Sequence, residues 1–211
     1  MNIALINILL YLLMLLAIGV GIKQRAYYKP FVFILILCIV GFITQILAQV
    51  YINDNPMQFR VFNMYQLVDG IILSLFYFYI IPQRLVKMAS ITFGSLYTMW
   101  FIYYFSIHPL SQNTFTPFVV ETPFIMFFSL WWLFITIRDE KEVKLSTHPL
   151  FWINVAHLIY FGFSVSGLGA YQQLSTSYPE VADSFLNFGR SANFVLYSLY
   201  IFGFYFSGKR G

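Results

Sequence analysis

The sequence predicts an all-α polytopic membrane protein of seven transmembrane helices, with its N-terminus outside and its C-terminus in the cytoplasm. Three observations carry that prediction. The 211 residues are 60% hydrophobic and only 9% charged, where a soluble domain is about 25% charged. The apolar residues gather into seven long runs with short polar gaps, and a bilayer needs about 20 such residues per helical span. The basic residues also alternate from gap to gap. Lys23, Arg25, Lys29, Arg84, Lys87, Arg138, Lys141, Lys144, Lys209 and Arg210 fall in every second gap or in the tail, and the intervening gaps hold only Arg60. Cytoplasmic loops are enriched in Lys and Arg, so the alternation sets the orientation.

The first run, 3–21, has no charge before it, while Lys23, Arg25 and Lys29 follow it. A secretory signal carries its positive charge in front of the apolar stretch. This run is therefore expected to be a first membrane helix that ends on the inner side. The second run, 31–52, closes at the turn-forming cluster Asn53, Asp54, Asn55 and Pro56, and the third covers 59–81. Pro82 and Gln83 form the next turn, before a fourth span at 85–105. A polar loop opens at His108 and Pro109 and runs to about Thr114, ahead of the fifth span at 115–137. The charged segment 138–144 reads as a solvated loop. The sixth span covers 150–171, an acidic outer loop with Glu180 and Asp183 covers 172–183, and the seventh span is 184–206. All are expected to be helices, because lipid offers no partner to unpaired backbone groups.

The seven spans consume the length as a single domain, 1–211, placed in the cell inner membrane and in contact with membrane lipid. Only residues 207–211 follow the last span, so any kinase, cyclase or DNA-binding output is expected to sit on a separate partner. Nucleic-acid binding would need a clustered basic face, and the basic residues are instead dispersed among loops. The lone Cys38 allows no internal disulfide and reads as a small packed hydrophobe.

Ionisable groups inside a membrane are costly, point inward and often mark function. Asp69 on helix 3, Glu121 on helix 5 and Arg190 on helix 7 are such groups. These odd-numbered helices all run inward, so a rise of about 1.5 Å per residue puts all three in the outer half of the bilayer. Gln66 precedes Asp69 on its helix, and Asn187 lies one turn above Arg190. Two polar stripes at helical period, Asn63, Gln66, Gly70 and Ser74 on helix 3 and Asn187, Ser191, Phe194 and Ser198 on helix 7, are expected to line the bundle interior. One reading is a ligand cavity open to the outside. The other is an arginine–carboxylate network that holds the helices together. Two acids against one arginine leave a surplus negative charge, which favours the cavity. His157 sits near mid-depth on helix 6, where a lone histidine is either a hydrogen-bonded packing residue or a proton-responsive ligand-binding group. Pro117 and Pro123 bracket Glu121 and are expected to kink helix 5 there.

Several chemistries are argued against. A retinal Schiff base needs an intramembrane lysine, and no lysine lies in any run. His108 is expected outside and His148 inside, and His157 is about 13 Å along its helix from the latter. The three cannot share one tetrahedral metal site, so neither metal nor cofactor is expected. No G-x-S-x-G appears, and serine hydrolysis lacks its triad. A sugar transporter of two repeated halves would carry a second proline hinge matching Pro82, which is missing.

Three stretches carry a resemblance. Residues 63–69 (Asn-Met-Tyr-Gln-Leu-Val-Asp) lead into the aromatic run 73–79, Val120 and Glu121 open a later apolar helix, and residues 149–154 (Pro-Leu-Phe-Trp-Ile-Asn) begin helix 6. In this order they resemble small, uncharacterised seven-helix bacterial membrane proteins of sensor-like layout, over helices 3 to 7. Such proteins often carry Glu on helix 3 where this chain has Asp69. The resemblance implies a sensory layout and no established activity.

The expected function is thus non-enzymatic: a ligand-binding or sensory protein whose outer-half cavity admits a small or lipophilic ligand. Its contacts would be Asp69, Glu121, Arg190, Gln66, Asn187 and His157, with a separate membrane protein receiving the signal. Alternatives are a small-solute transporter, a non-catalytic subunit of a membrane complex and an intramembrane enzyme.

Overall fold

The structure, a computed structural model, describes residues 3–24, 29–139, 145–174 and 179–208; residues 3, 4, 139, 168–170, 172–174 and 179–190 are described by their backbone only. The described residues form seven α-helices and no strand. They are α1 (Ile3–Gln24), α2 (Phe31–Val50), α3 (Asn55–Ile80), α4 (Arg84–Ile107), α5 (Thr116–Asp139), α6 (Pro149–Leu174) and α7 (Pro179–Ser207), with one 3-10 turn at Leu145–Thr147 before α6. Six of them, α1 to α6, are long and apolar enough among the described residues to cross a membrane. The chain is therefore an all-helical, multi-pass membrane protein. Large apolar side chains exposed along its helices, such as Leu12 and Leu16 on α1, Met99 on α4 and Leu130 and Phe134 on α5, fit contact with lipid.

The helix ends depart most from the expected ones at two connections. Helix α3 begins at Asn55, four residues before the run 59–81, because the cluster expected as a turn, which does turn through Asn53, also starts the helix from Asp54 onward. The Asp54 carboxylate accepts a bond from the Met57 backbone N–H at 3.2 Å, and Pro56 occupies the first turn, where its missing N–H costs nothing. The expected loop 172–183 shrinks as well: α6 continues to Leu174 and α7 starts at Pro179. Gln172 and Gln173 are good helix formers, and Pro179 opens a helix from its first position.

The chain divides into two compact units, Lys29–Phe124 and Met1–Tyr28 with Ile125–Gly211. The boundary falls within α5, just after Pro123, whose ring cannot donate to the Val119 carbonyl.

In the unit Lys29–Phe124, α3 packs against both α2 and α4. Helix α2 buries a stripe at helical spacing, with Ile34, Cys38, Gly41, Thr44 and Ala48 inward. The α3–α4 contact is close because Gly94 faces Ser74; a Cβ on Gly94 would lie 2.7 Å from the Ser74 Cβ. The end where α3 and α5 begin is tied together by amide bonds. Gln58 donates to the Ala48 carbonyl at 3.1 Å. The Asn63 amide donates to the Leu110 carbonyl at 2.7 Å and the Gln112 carbonyl at 3.0 Å, pinning the loop between α4 and α5 onto α3.

In the other unit, α7 packs against α1 and α6. Trp152 of α6 sits against Phe202 and Phe206 of α7, with ring centroids 5.3 Å and 6.2 Å away. Gly203 leaves room for Ile153; a Cβ there would lie 2.7 Å from its Cδ1. The buried face of α7 is Ala192, Leu196, Tyr197, Tyr200 and Phe204. This corrects the expected polar stripe, since Ser191 is exposed and Phe194 and Ser198 are only half-buried. The phase of the helix is set by its larger apolar residues, which win the interior over scattered hydroxyls.

Candidate functional site

Asp69 and Glu121, singled out from sequence, both belong to the unit Lys29–Phe124. Asp69 lies six residues along α3 from Asn63, about 9 Å below the loop that Asn63 pins. Glu121 comes from the second turn of α5. Asp69 is 8% exposed and Glu121 0%, and the two are near enough to interact through their charges.

Their partners are unequal. The Tyr65 hydroxyl, one turn before Asp69 on the same helix face, hydrogen-bonds its carboxylate. Glu121 has no such donor: among the described residues neither carboxylate oxygen has a hydrogen-bond partner, although both are buried. Gln66 is alike in its side-chain oxygen, which is buried and unpartnered among the described residues. All three orphaned atoms of this unit are acceptors.

Tyr97 of α4 connects these groups. Its hydroxyl donates to the Gln66 backbone carbonyl at 3.2 Å, and its ring lies over Gly70, where a Cβ would come within 2.5 Å of it. Both acids act electrostatically on it. Its only donor is thus directed to a backbone carbonyl. Behind it a column of rings runs along α4: Phe93 at 5.7 Å, Trp100 at 6.0 Å and, from Trp100, Tyr104 at 5.2 Å. These spacings suit offset and tilted aromatic packing, so Tyr97 is held on a rigid support.

The remaining sequence candidates are distributed differently. His157 lies in the other unit, fully buried, with its Nε2 2.8 Å from the Tyr200 hydroxyl. That is the geometry of a hydrogen-bonded packing histidine, the plainer of its two expected roles. The side chains of Arg190 and Asn187 lie outside the described residues. Pro123 does sit within α5, and the helix continues through it. Among the described residues no group of three His, Cys, Asp or Glu side chains could hold a metal ion.

Sequence reasoning missed Tyr65 and Tyr97. Tyr65 had a usable signal, its four-residue spacing to Asp69. Tyr97 had none, being one ring among many in an aromatic-rich helix. Compared with models of known families, with curated proteins and with solved structures, the chain gives no match. A functional reading therefore rests on the residues of the site.

Proposed function

We propose that this chain is a seven-span protein of the inner membrane, N-terminus outside and C-terminus cytoplasmic, that binds a small ligand at the Asp69–Glu121 pair and acts as a sensor. Helix movement would pass the signal to a separate membrane protein. The observation that carries the reading is Glu121, a fully buried carboxylate with no hydrogen-bond partner among the described residues, beside a second acid. A carboxylate held this way costs several kcal/mol unless something compensates it. Purely structural acids are normally given donors, as Asp69 is given Tyr65.

A small-solute transporter is the second reading, favoured by Pro123 two residues from Glu121, since a proline inside a helix frees the carbonyl one turn before it. Against it stands the use of the other polar side chains deeper in the helices. Ser74, Ser90, Asn154 and Ser207 each donate to a carbonyl of their own helix, which leaves little polar lining for a path to the second side.

Cysteine accessibility in whole cells separates the readings. Gln66→Cys should react with a small polar thiol reagent added outside, while Ser74→Cys, two turns deeper on α3, should stay protected from both sides. Reaction of Ser74→Cys from the cytoplasm, under conditions that protect Gln66→Cys, would replace sensing with transport. Protection of both positions from both sides would remove the ligand site altogether.

A further inference from the structure

We propose that the site formed by Asp69, Glu121 and the Gln66 side-chain oxygen binds a small monovalent cation, either a sodium-sized ion or a primary ammonium group. The inference deepens the ligand-binding reading and rests on it.

The argument begins with the kind of atoms left over. Glu121 Oε1, Glu121 Oε2 and Gln66 Oε1 are all buried acceptors without partners among the described residues. A ligand that satisfies them must donate hydrogen bonds or carry positive charge; an anion or a carbonyl compound would add acceptors to acceptors. Three neighbouring hydroxyls are committed. Tyr65 serves Asp69, Tyr97 serves the Gln66 backbone carbonyl, and Thr122, next to Glu121, donates to the Phe118 carbonyl at 2.8 Å. The two acids act on each other electrostatically, so both can be ionised side by side only where a positive charge offsets them.

Size and charge narrow the class. With Glu121 wholly buried and Asp69 nearly so, the occupant has to shed most of its water and be small. An all-oxygen donor set suits hard cations and ammonium groups rather than soft metals. Calcium needs six to eight oxygens and magnesium an octahedron with retained waters. Two acids, one of them already bonded to Tyr65, and one amide oxygen fall short of that. Bulky organic cations are excluded by the same closure, since the Tyr97 ring is packed onto Gly70.

The test uses the full chain purified in detergent, with thermal unfolding followed at constant ionic strength and constant pH. Chloride salts of sodium, potassium, methylammonium and N-methylglucamine are exchanged for one another. A saturable rise in midpoint with sodium or methylammonium, relative to N-methylglucamine, is the expected result. Which of the two acts at lower concentration distinguishes a metal ion from an ammonium group. The isosteric Glu121→Gln should abolish the rise, and Asp69→Asn should weaken it at least tenfold in the concentration required. Glu121→Gln also keeps the falsifying arm open, because a neutral amide removes the charge without leaving a hole. Equal midpoints in all four salts across the range pH 5 to 9 would overturn the proposal and mean that the pair holds a proton. A cation effect seen only after Arg190→Ala would overturn it too, since the chain would then supply the positive charge itself. Failure here with Gln66→Cys still reactive from outside would remove the cation and leave the outward-facing site standing.

Discussion

Tyr97 is fixed by two different contacts, and substitution can separate them. Its ring needs the bare backbone of Gly70, and its hydroxyl needs the Gln66 carbonyl. Gly70→Ala would put a methyl group where the ring lies, an overpacking that typically costs about 1–3 kcal/mol. Tyr97→Phe keeps the ring and removes a single neutral hydrogen bond, worth about 0.5–1.5 kcal/mol. Thermal unfolding in detergent should therefore rank the wild type first, Tyr97→Phe second and Gly70→Ala last. A larger loss in Tyr97→Phe would mean that the hydroxyl, rather than the seat of the ring, organises the site. His157 gives a parallel case in the other unit. Tyr200→Phe removes the hydroxyl that lies 2.8 Å from its buried Nε2, and losing one partner of a buried hydrogen bond costs about 1–3 kcal/mol. His157→Leu combined with Tyr200→Phe should regain part of that loss; strict additivity would show that the two groups do not act as a pair.

At the scale of elements, the loop between α4 and α5 depends on Asn63, which reaches two of its carbonyls. Thr114 adds local order, since its hydroxyl accepts from the Thr116 backbone N–H at 3.2 Å and lies 3.3 Å from the Tyr104 hydroxyl. Asn63→Ala should speed amide hydrogen exchange across residues 108–115 while leaving the α5 segment beyond Pro123 unchanged; uniform acceleration along α5 would instead indicate general unfolding. The existence of each helix was legible in the sequence because each is a long apolar run, and Pro82 and His108 marked true breaks. The ends were less so. Asp54 and Pro56 favour turns and helix starts alike, and only the contact with Met57 decides between them. The phase of α7 was misread for another reason. A polar stripe predicts an interior face only where polar groups outweigh apolar volume, and Leu196, Tyr197, Tyr200 and Phe204 outweigh Ser191 and Ser198. The acids were legible as rare charges in apolar runs. Which of them would have donors was not, because that depends on Tyr65 reaching Asp69 and on the Tyr97 hydroxyl being taken by the Gln66 carbonyl.

At the scale of the whole molecule the proposed orientation makes a prediction that does not depend on any site. Two basic side chains near helix ends lie against aromatic rings, with Lys87 4.4 Å from the Phe78 centroid and Arg138 5.7 Å from that of Phe134. Both belong to the ten basic residues of the expected cytoplasmic side, and such rings let the long side chains run along apolar surface while the charge stays at the headgroups. The gaps expected on the outer side hold only Arg60, which is exposed and near Met57. Because the Lys and Arg bias governs insertion, single cysteines should report opposite sides. Gln112→Cys, at an exposed position in the loop pinned by Asn63, should be labelled by an impermeant maleimide on intact cells. Lys141→Cys should be labelled only after permeabilisation. The native Cys38 is fully buried in α2 and should stay silent in both conditions, which makes the wild type its own control. The reverse pattern would turn the Asp69–Glu121 end toward the cytoplasm, and a sensor of external ligands would no longer be tenable. The cation proposal would survive that reversal, because it depends on the acceptors of one unit and not on which compartment they face.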